Sequence, residues 1–417
     1  MLTVWLLSLA SVFTPTPSEG PFQDLTVDQA LAAAKRDKKV VMIDFFTTWC
    51  LPCKKLDKTT WTDPEVQKWL ADNTVALRLD AEKESELAKK HRIEGYPTML
   101  FLTPDGTEID RIFGYKEPKD FLSQAKDALA GKNAVTRAKD KLVGHEKDPM
   151  RRSEYANELA RAGRDEEALV EYLWCFDQGQ QERPSYSGVR LSFLLSDIVR
   201  FGKRYPPAIT ALEERRDAAE AKLVEGSDSF DDATVAIAIN GALNAKQRNL
   251  ALYDRVRATK PLAAHVKIAF SDELLELLVE ARRYQDALDL FDSPESYVTG
   301  RIKLSRFRPT PKEGQDEEMK KAMEQADQYM RTELVSRCAK MYEALLGAAK
   351  KDVAAKVADD LIEFAPSGQT YSTLIASAVR AEVSDVAKSL ADRGLTTLPE
   401  NEKKTVERAA KKIPAPK

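Results

Sequence analysis

Residues 40–56 read Val40-Val41-Met42-Ile43-Asp44-Phe45-Phe46-Thr47-Thr48-Trp49-Cys50-Leu51-Pro52-Cys53-Lys54-Lys55-Leu56, and this stretch decides how the first part of the chain folds. The run up to Phe46 is almost continuously apolar, the pattern of a strand buried on both faces of a sheet. Lys54-Lys55-Leu56 reads as a basic helical start. The Cys-x-x-Cys pair therefore falls where a buried strand gives way to a helix, with Cys50 at the helix N-terminus. Such a pair has two readings. One is half of a zinc site, but zinc normally takes four ligands. Cys175 and Cys338 stand alone and His91, His145 and His265 are scattered, so no metal site is assigned. The other is a redox dithiol, favoured by the strand before it, the helix after it and a Gly95-Tyr96-Pro97-Thr98 turn entering a later strand.

Outward from this stretch the pattern is α/β. Thr26 and Gln29 have capping-box spacing ahead of an alanine- and lysine-rich helix. At Thr62-Asp63-Pro64-Glu65 a helix restarts, capped either by Thr62 with Glu65 or by Asp63 with Pro64 in the first turn. Val75 to Leu79 is a second strand and Glu84 to His91 a helix. Thr98–Leu102 and Ile109–Phe113 flank Pro104-Asp105-Gly106, a hairpin signal. A last helix, Lys119 to Ala130, stops at Gly131. The predicted order is α-β-α-β-α-β-β-α, a mixed α/β layer.

Phe45 to Lys54 resembles the active-site segment of thioredoxins. Tyr96-Pro97-Thr98 resembles that family's cis-proline loop, and Asp44 sits where thioredoxins carry a buried carboxylate. Lys54 to Leu70 most resembles the thioredoxin-like C-terminal domain of DsbD-type thiol:disulfide interchange proteins. The resemblance covers residues 22–132 and implies a thioredoxin fold there. One departure stands out: the lysine that thioredoxins place near the buried aspartate corresponds to Ala76, which puts a coupled Asp–Lys titration in doubt.

The residues then suggest a mechanism. A free cysteine titrates near ~8.5 and its thiolate is the nucleophile; at a helix N-terminus the anion meets unpaired N–H groups and the positive end of the helix dipole. Cys50 is expected to be the exposed attacking thiol and Cys53, one turn inside, the resolving one. Asp44 is the candidate proton acceptor or donor for Cys53. Pro97, cis by the resemblance, together with Trp49, Tyr96 and Thr98, is the candidate substrate-binding set. Pro52 carries neither charge nor N–H and should stabilise the thiolate little, which points to a reductant. No cofactor is expected beyond the redox-active Cys50–Cys53 disulfide. The expected partners are protein disulfide or dithiol substrates and an upstream thiol reductant.

The other three quarters of the 417 residues read differently. The 64 basic and 67 acidic residues give a net charge of −3, without the basic excess of a nucleic-acid binder. From about Ala134 strand signals vanish and helical periods take over. Ala156, Leu159, Gly163, Ala168, Tyr172 and Cys175 resemble a tetratricopeptide repeat, a helix–turn–helix of ~34 residues. Ala354 precedes Pro366 by twelve positions, as Ala387 does Pro399, and the two pairs are 33 residues apart. Ala287 with Phe291 is a weaker copy. An irregular helical bundle is the alternative. Residues 133–149 are read as a linker, 150–413 as a helical-repeat domain and Arg306 to Gln315 as a polar loop within it. Residues 1–21 hold an apolar run, Met1 to Val12, too short to span a bilayer at ~20 residues. It resembles a secretory signal without a basic start, followed by a Thr14–Pro21 lead-in. That run suggests a periplasmic or secreted protein with no stable membrane anchor, the cytoplasm being the alternative. The predicted function is disulfide exchange with a helical partner-docking domain. The competing reading is an α-solenoid scaffold or adaptor whose thioredoxin-like domain is a redox sensor or structural module.

Overall fold

The computed structural model describes residues 20–305 and 317–415. The signal-like run, most of the lead-in and the loop expected over Arg306–Gln315 lie outside the described residues. The chain divides into two compact units, the first ending at Arg190 and the second beginning at Leu191.

The first unit is built on four strands in the order β2-β1-β3-β4: β1 Val40–Phe46, β2 Thr74–Asp80, β3 Thr98–Leu102 and β4 Glu108–Phe113. β1 runs parallel to β2 and antiparallel to β3, and β3 and β4 form the expected hairpin. Alternation along β1 splits its side chains between two apolar layers. Val41, Ile43 and Phe45 face one layer with Ala30 and Ala34 of helix α1, Val27–Asp37. Met42 faces the other, with residues of α2 (Leu51–Lys58), α3 (Pro64–Asn73) and α5 (Pro118–Leu129). A short α4, Ser85–Lys90, precedes β3. Two helices thus stand between β1 and β2, at the helical start and the restart read from the sequence, where the predicted element order counted one.

Local chemistry explains where these helices begin. The Thr26/Gln29 capping box is present, closing both donor–acceptor pairs. At α3 the cap is Asp63, whose carboxylate accepts from the Glu65 and Val66 N–H groups at 2.9 and 3.0 Å, with Pro64 in the first turn.

Residues 133–149 are not a linker. They hold α6, Ala134–Leu142, capped by the Asn133 side chain, with Val135, Ala138 and Leu142 buried. Asp110 of β4 accepts from the Ala134 N–H at 2.7 Å and pairs with Arg137 at 2.8 Å. Nor does the helical part separate at 150: α7 (Pro149–Arg161) and α8 (Asp165–Glu182) belong to the first unit, α6 packing on both β4 and α7. Ala156, Leu159, Ala168, Tyr172 and Cys175 are buried where α7 and α8 pack together.

The second unit is helical throughout its described residues. Its helices pair across short turns, and a residue with positive φ ends the first helix of four pairs: Asn244, Arg282, Ala349 and Glu382. Lys351 pairs with Asp385 at 2.8 Å, the Gly368 N–H donates to Glu402 at 2.8 Å, and Arg393 pairs with Asp359. Each of these contacts joins residues 34 apart in sequence. No helix among the described residues is long and apolar enough to cross a membrane.

Candidate active site

β1 ends at Phe46 and the chain crosses Thr47-Thr48-Trp49 to Cys50, the N-cap of α2. The Cys50 sulfur accepts from the Cys53 N–H at 3.1 Å and is joined to the Cys53 sulfur in a disulfide, with Cα atoms 5.3 Å apart. This is the place where helix N–H groups lack intrahelical partners. Cys50 was expected to be exposed, and in the disulfide it is not: it is 4% exposed and Cys53 1%. The Cys50 sulfur lies against the first turn of α2, on the Cys53 N–H. The open surface is supplied by its neighbours, Trp49 at 61% and Leu51 at 75% exposed.

The second wall of the site is the segment before β3. The Tyr96–Pro97 peptide is cis. The Tyr96 ring meets Trp49 edge-on at 5.9 Å, and Trp49 Nε1 donates to Glu82 at 3.0 Å, so both flanks of the disulfide are fixed. The Pro97 carbonyl accepts from the Gly114 N–H at 2.9 Å. Thr98, a candidate substrate contact, is buried and donates its hydroxyl to the Gly95 carbonyl at 2.8 Å. Its side chain braces the loop from within and presents nothing to a ligand.

The same domain holds a buried charged network, centred on Asp44 of β1, that the sequence reading held only in part. Asp44 is fully buried in the middle of β1. Its Oδ2 accepts from Trp61 Nε1 at 3.2 Å and lies 3.3 Å from Arg78 Nε, while Oδ1 has no hydrogen-bond partner. Burial pushes the Asp44 carboxyl up to about 7; the Arg78 charge pulls it down, Asp57 adds to the rise and the Trp61 N–H opposes it. Arg78 also grips Asp57 of α2 with two nitrogens, at 2.6 and 3.0 Å, and lies 4.2 Å over the Phe46 ring.

The cation expected to be missing at Ala76 is thus supplied two residues further along β2. Register explains it: Met42 pairs with Ala76 and Asp44 with Arg78, so Arg78 shares a face with Ala76 and lies directly across from Asp44. Pairing the buried acid with the one basic residue of the Val75–Leu79 run would have found it. Asp57 and Trp61 carry no such signal, because their approach depends on how the chain turns after α2.

Cys175 and Cys338 take no part. Both are free and buried, and burial pushes each thiol up to about 12, which makes them poor nucleophiles.

Fold and site together define a thioredoxin-like domain that carries a redox-type cysteine pair. Residues 27–129 match the family described as a thioredoxin-like domain. Among curated relatives, the thiol:disulfide interchange protein DsbD of Yersinia pestis is 34% identical over 116 residues, which are 26% of this chain and 19% of that protein. The protein of the same name from Klebsiella pneumoniae is 36% identical over 107 residues, 24% of this chain and 17% of that one. The chain thus spans less than a fifth of the length of these relatives. A solved structure of a putative disulphide-isomerase from Bacteroides thetaiotaomicron is 34% identical, covering 26% of this chain and 91% of its own, with a TM-score of 0.25.

Proposed function

We propose that this protein is a thiol–disulfide oxidoreductase that reduces protein disulfides through Cys50 and Cys53. The observation that carries the reading is the Cys50–Cys53 bond at the N-terminus of α2, walled by Trp49 and the Tyr96–Pro97 loop, in a domain whose buried Asp44 carboxyl is raised to about 7. In the reduced protein the Cys50 thiolate attacks one sulfur of a substrate disulfide. A Cys50–substrate bond forms, the substrate bond breaks, and the departing thiolate takes a proton from water. Cys53 gives its proton to Asp44 and attacks the Cys50 sulfur, closing the Cys50–Cys53 bond and releasing the second substrate thiolate. The substrate gains two electrons, and an upstream dithiol returns them to the pair by the same exchange. An acid titrating near working pH is suited to both directions of the Cys53 proton transfer.

Reduction is favoured over oxidation because Pro52 offers the thiolate neither charge nor N–H. The relatives' name, thiol:disulfide interchange protein, supports the exchange itself. The helix pairs, with contacts recurring 34 residues apart, support a tetratricopeptide-like stack that docks the protein partner. The signal-like Met1–Val12 run supports action outside the cytoplasm, which N-terminal sequencing from the native host tests.

Dithiol-driven reduction of insulin by the full-length protein tests the exchange. Cys50→Ser is expected to abolish it, and Cys53→Ser to accumulate mixed disulfides with its partners. Activity surviving without Cys50, or equal alkylation rates for the two thiols near neutral pH, overturns the mechanism. Equilibration with glutathione tests direction: a potential above about −200 mV would mark an oxidant.

A further inference from the structure

We propose that Arg161 and Phe113 are positioning residues for the Gly95–Tyr96–Pro97 loop, through which helix α7 acts on protein-disulfide exchange. The inference rests on the oxidoreductase reading above and assigns part of the site to helices beyond the thioredoxin-like domain.

Phe113 is the last residue of β4, paired in register with Thr98 at the start of β3. Its ring lies against the backbone of Gly95: a Cβ on Gly95 would stand 2.9 Å from the Phe113 ring edge, closer than real Cβ atoms approach. On Phe113 lies Arg161, the last residue of α7, its guanidinium carbon 4.1 Å from the ring centroid. Arg161 is held in turn by Glu158 at 2.5 Å, and both side chains are less than a fifth exposed. Partly desolvated stacking of this kind is where a cation–π contact is worth most.

A second grip lies one turn away. Gly163 has φ +78° and closes the α7–α8 turn. The positive φ favours glycine there, and the Arg92 guanidinium lies against the Gly163 backbone, in the space a side chain would take. The carbonyls of His91 and Arg92 accept from Arg111 of β4 at 2.9 and 3.2 Å. The segment from His91 to Pro97 is therefore clamped between β4 and the end of α7.

From Arg161 the contacts run without a gap to the cysteines: Phe113, Gly95, Tyr96, then Trp49 beside Cys50. A small disulfide needs only the Cys50 sulfur. A protein substrate must also lie along the cis-proline loop, so loosening that loop penalises the protein substrate selectively.

The test uses the full-length protein and two substrates, insulin and the aromatic disulfide 5,5′-dithiobis(2-nitrobenzoate). Arg161→Ala is expected to raise the KM for insulin by about 3- to 10-fold, the scale of a lost partly buried cation–π contact. Its kcat and its rate on the small disulfide should change by less than about 2-fold. Phe113→Tyr, which keeps the stack, should behave as wild type, and Phe113→Leu as Arg161→Ala. Hydrogen exchange at the Gly114 amide, which donates to the Pro97 carbonyl, reads the loop without any turnover and should quicken by about 10-fold in Arg161→Ala. An unchanged insulin KM, equal losses on both substrates, or unchanged Gly114 exchange overturns the proposal. Wild-type protein inactive on both substrates would instead overturn the oxidoreductase reading, and Gly114 exchange would still decide whether Arg161 holds the loop.

Discussion

The proposed proton acceptor Asp44 also bears on stability. Its carboxyl is raised to about 7 chiefly by burial, against ~3.9 in an unfolded chain. A group raised on folding contributes stability that is full below the unfolded value and is lost as pH rises through the folded one. Native protein should therefore lose stability between about pH 4 and 7 on account of Asp44, by a few kcal/mol at most. Asp44→Asn removes that dependence while keeping an acceptor for Trp61. Urea unfolding at pH 8 is expected to find the variant more stable than wild type, with the gap closing as pH falls toward 4. On the proposed mechanism the same substitution should also slow resolution of a Cys50 mixed disulfide, because it removes the carboxyl assigned to take the Cys53 proton. Arg78 opposes the rise that burial imposes on this carboxyl. The Arg78 charge favours the carboxylate and Asp57 disfavours it, so Arg78→Met should move the pH midpoint of the resolving step upward. Single-turnover rates over pH 5–9 measure the shift, and a midpoint unchanged in Arg78→Met would separate Asp44 from the step.

Among elements, α6 shows what local pattern misses. Its start is held by Asp110, 24 residues earlier in the chain, which bonds the Ala134 N–H and pairs with Arg137. Asp110→Ala leaves a helix N–H and a mostly buried guanidinium short of a partner, and is expected to cost about 1–3 kcal/mol. Thermal unfolding of the full chain checks this: the transition of the first unit should fall by several degrees while that of the second stays in place. β1 was legible because a strand buried on both faces must be apolar throughout, and α1 because its capping box lies within four residues. The α2–Cys50 junction followed from the same local logic. The 133–149 stretch is short and mostly polar, and its three buried positions, Val135, Ala138 and Leu142, become a face only once β4 and α7 are there to cover them. The site divides in the same way. The cysteines, Asp44, Trp49 and Pro97 stand in or beside recognisable segments. Arg78 requires strand register, Arg161 a helix 48 residues past Phe113, and neither is a property of local sequence.

For the whole molecule, the boundary at Arg190 changes how the role of the helices must be tested. Cutting after Lys132 would strip α6 from Asp110 and Arg161 from Phe113, mixing damage to the exchange site with loss of any docking surface. Cutting after Arg190 leaves those contacts in place and removes only the second unit. That unit has a groove of about 730 Å³ lined by Tyr284, Lys340, Glu343 and Arg380 among others. Its basic groups are already answered: Lys340 lies 3.7 and 3.6 Å from Glu276 and Glu280, and Arg380 pairs with Glu343 at 2.6 Å. Such a surface suits a polar protein segment better than a single ion. A thioredoxin-like site touches its substrate over a small area, so a second contact on the same chain raises the effective concentration of the substrate disulfide at Cys50. Linking two weak contacts in this way strengthens binding by ~10²–10⁴-fold without altering the chemistry. Residues 1–190 are accordingly expected to reduce a small disulfide at the full-length rate. On the native partner, identified by trapping with Cys53→Ser, they should lose at least about 10²-fold in kcat/KM, carried by KM. Cooperative unfolding of the 1–190 fragment establishes that it is intact. If both substrates then slow by one factor, the second unit serves stability or assembly, and the docking role is wrong.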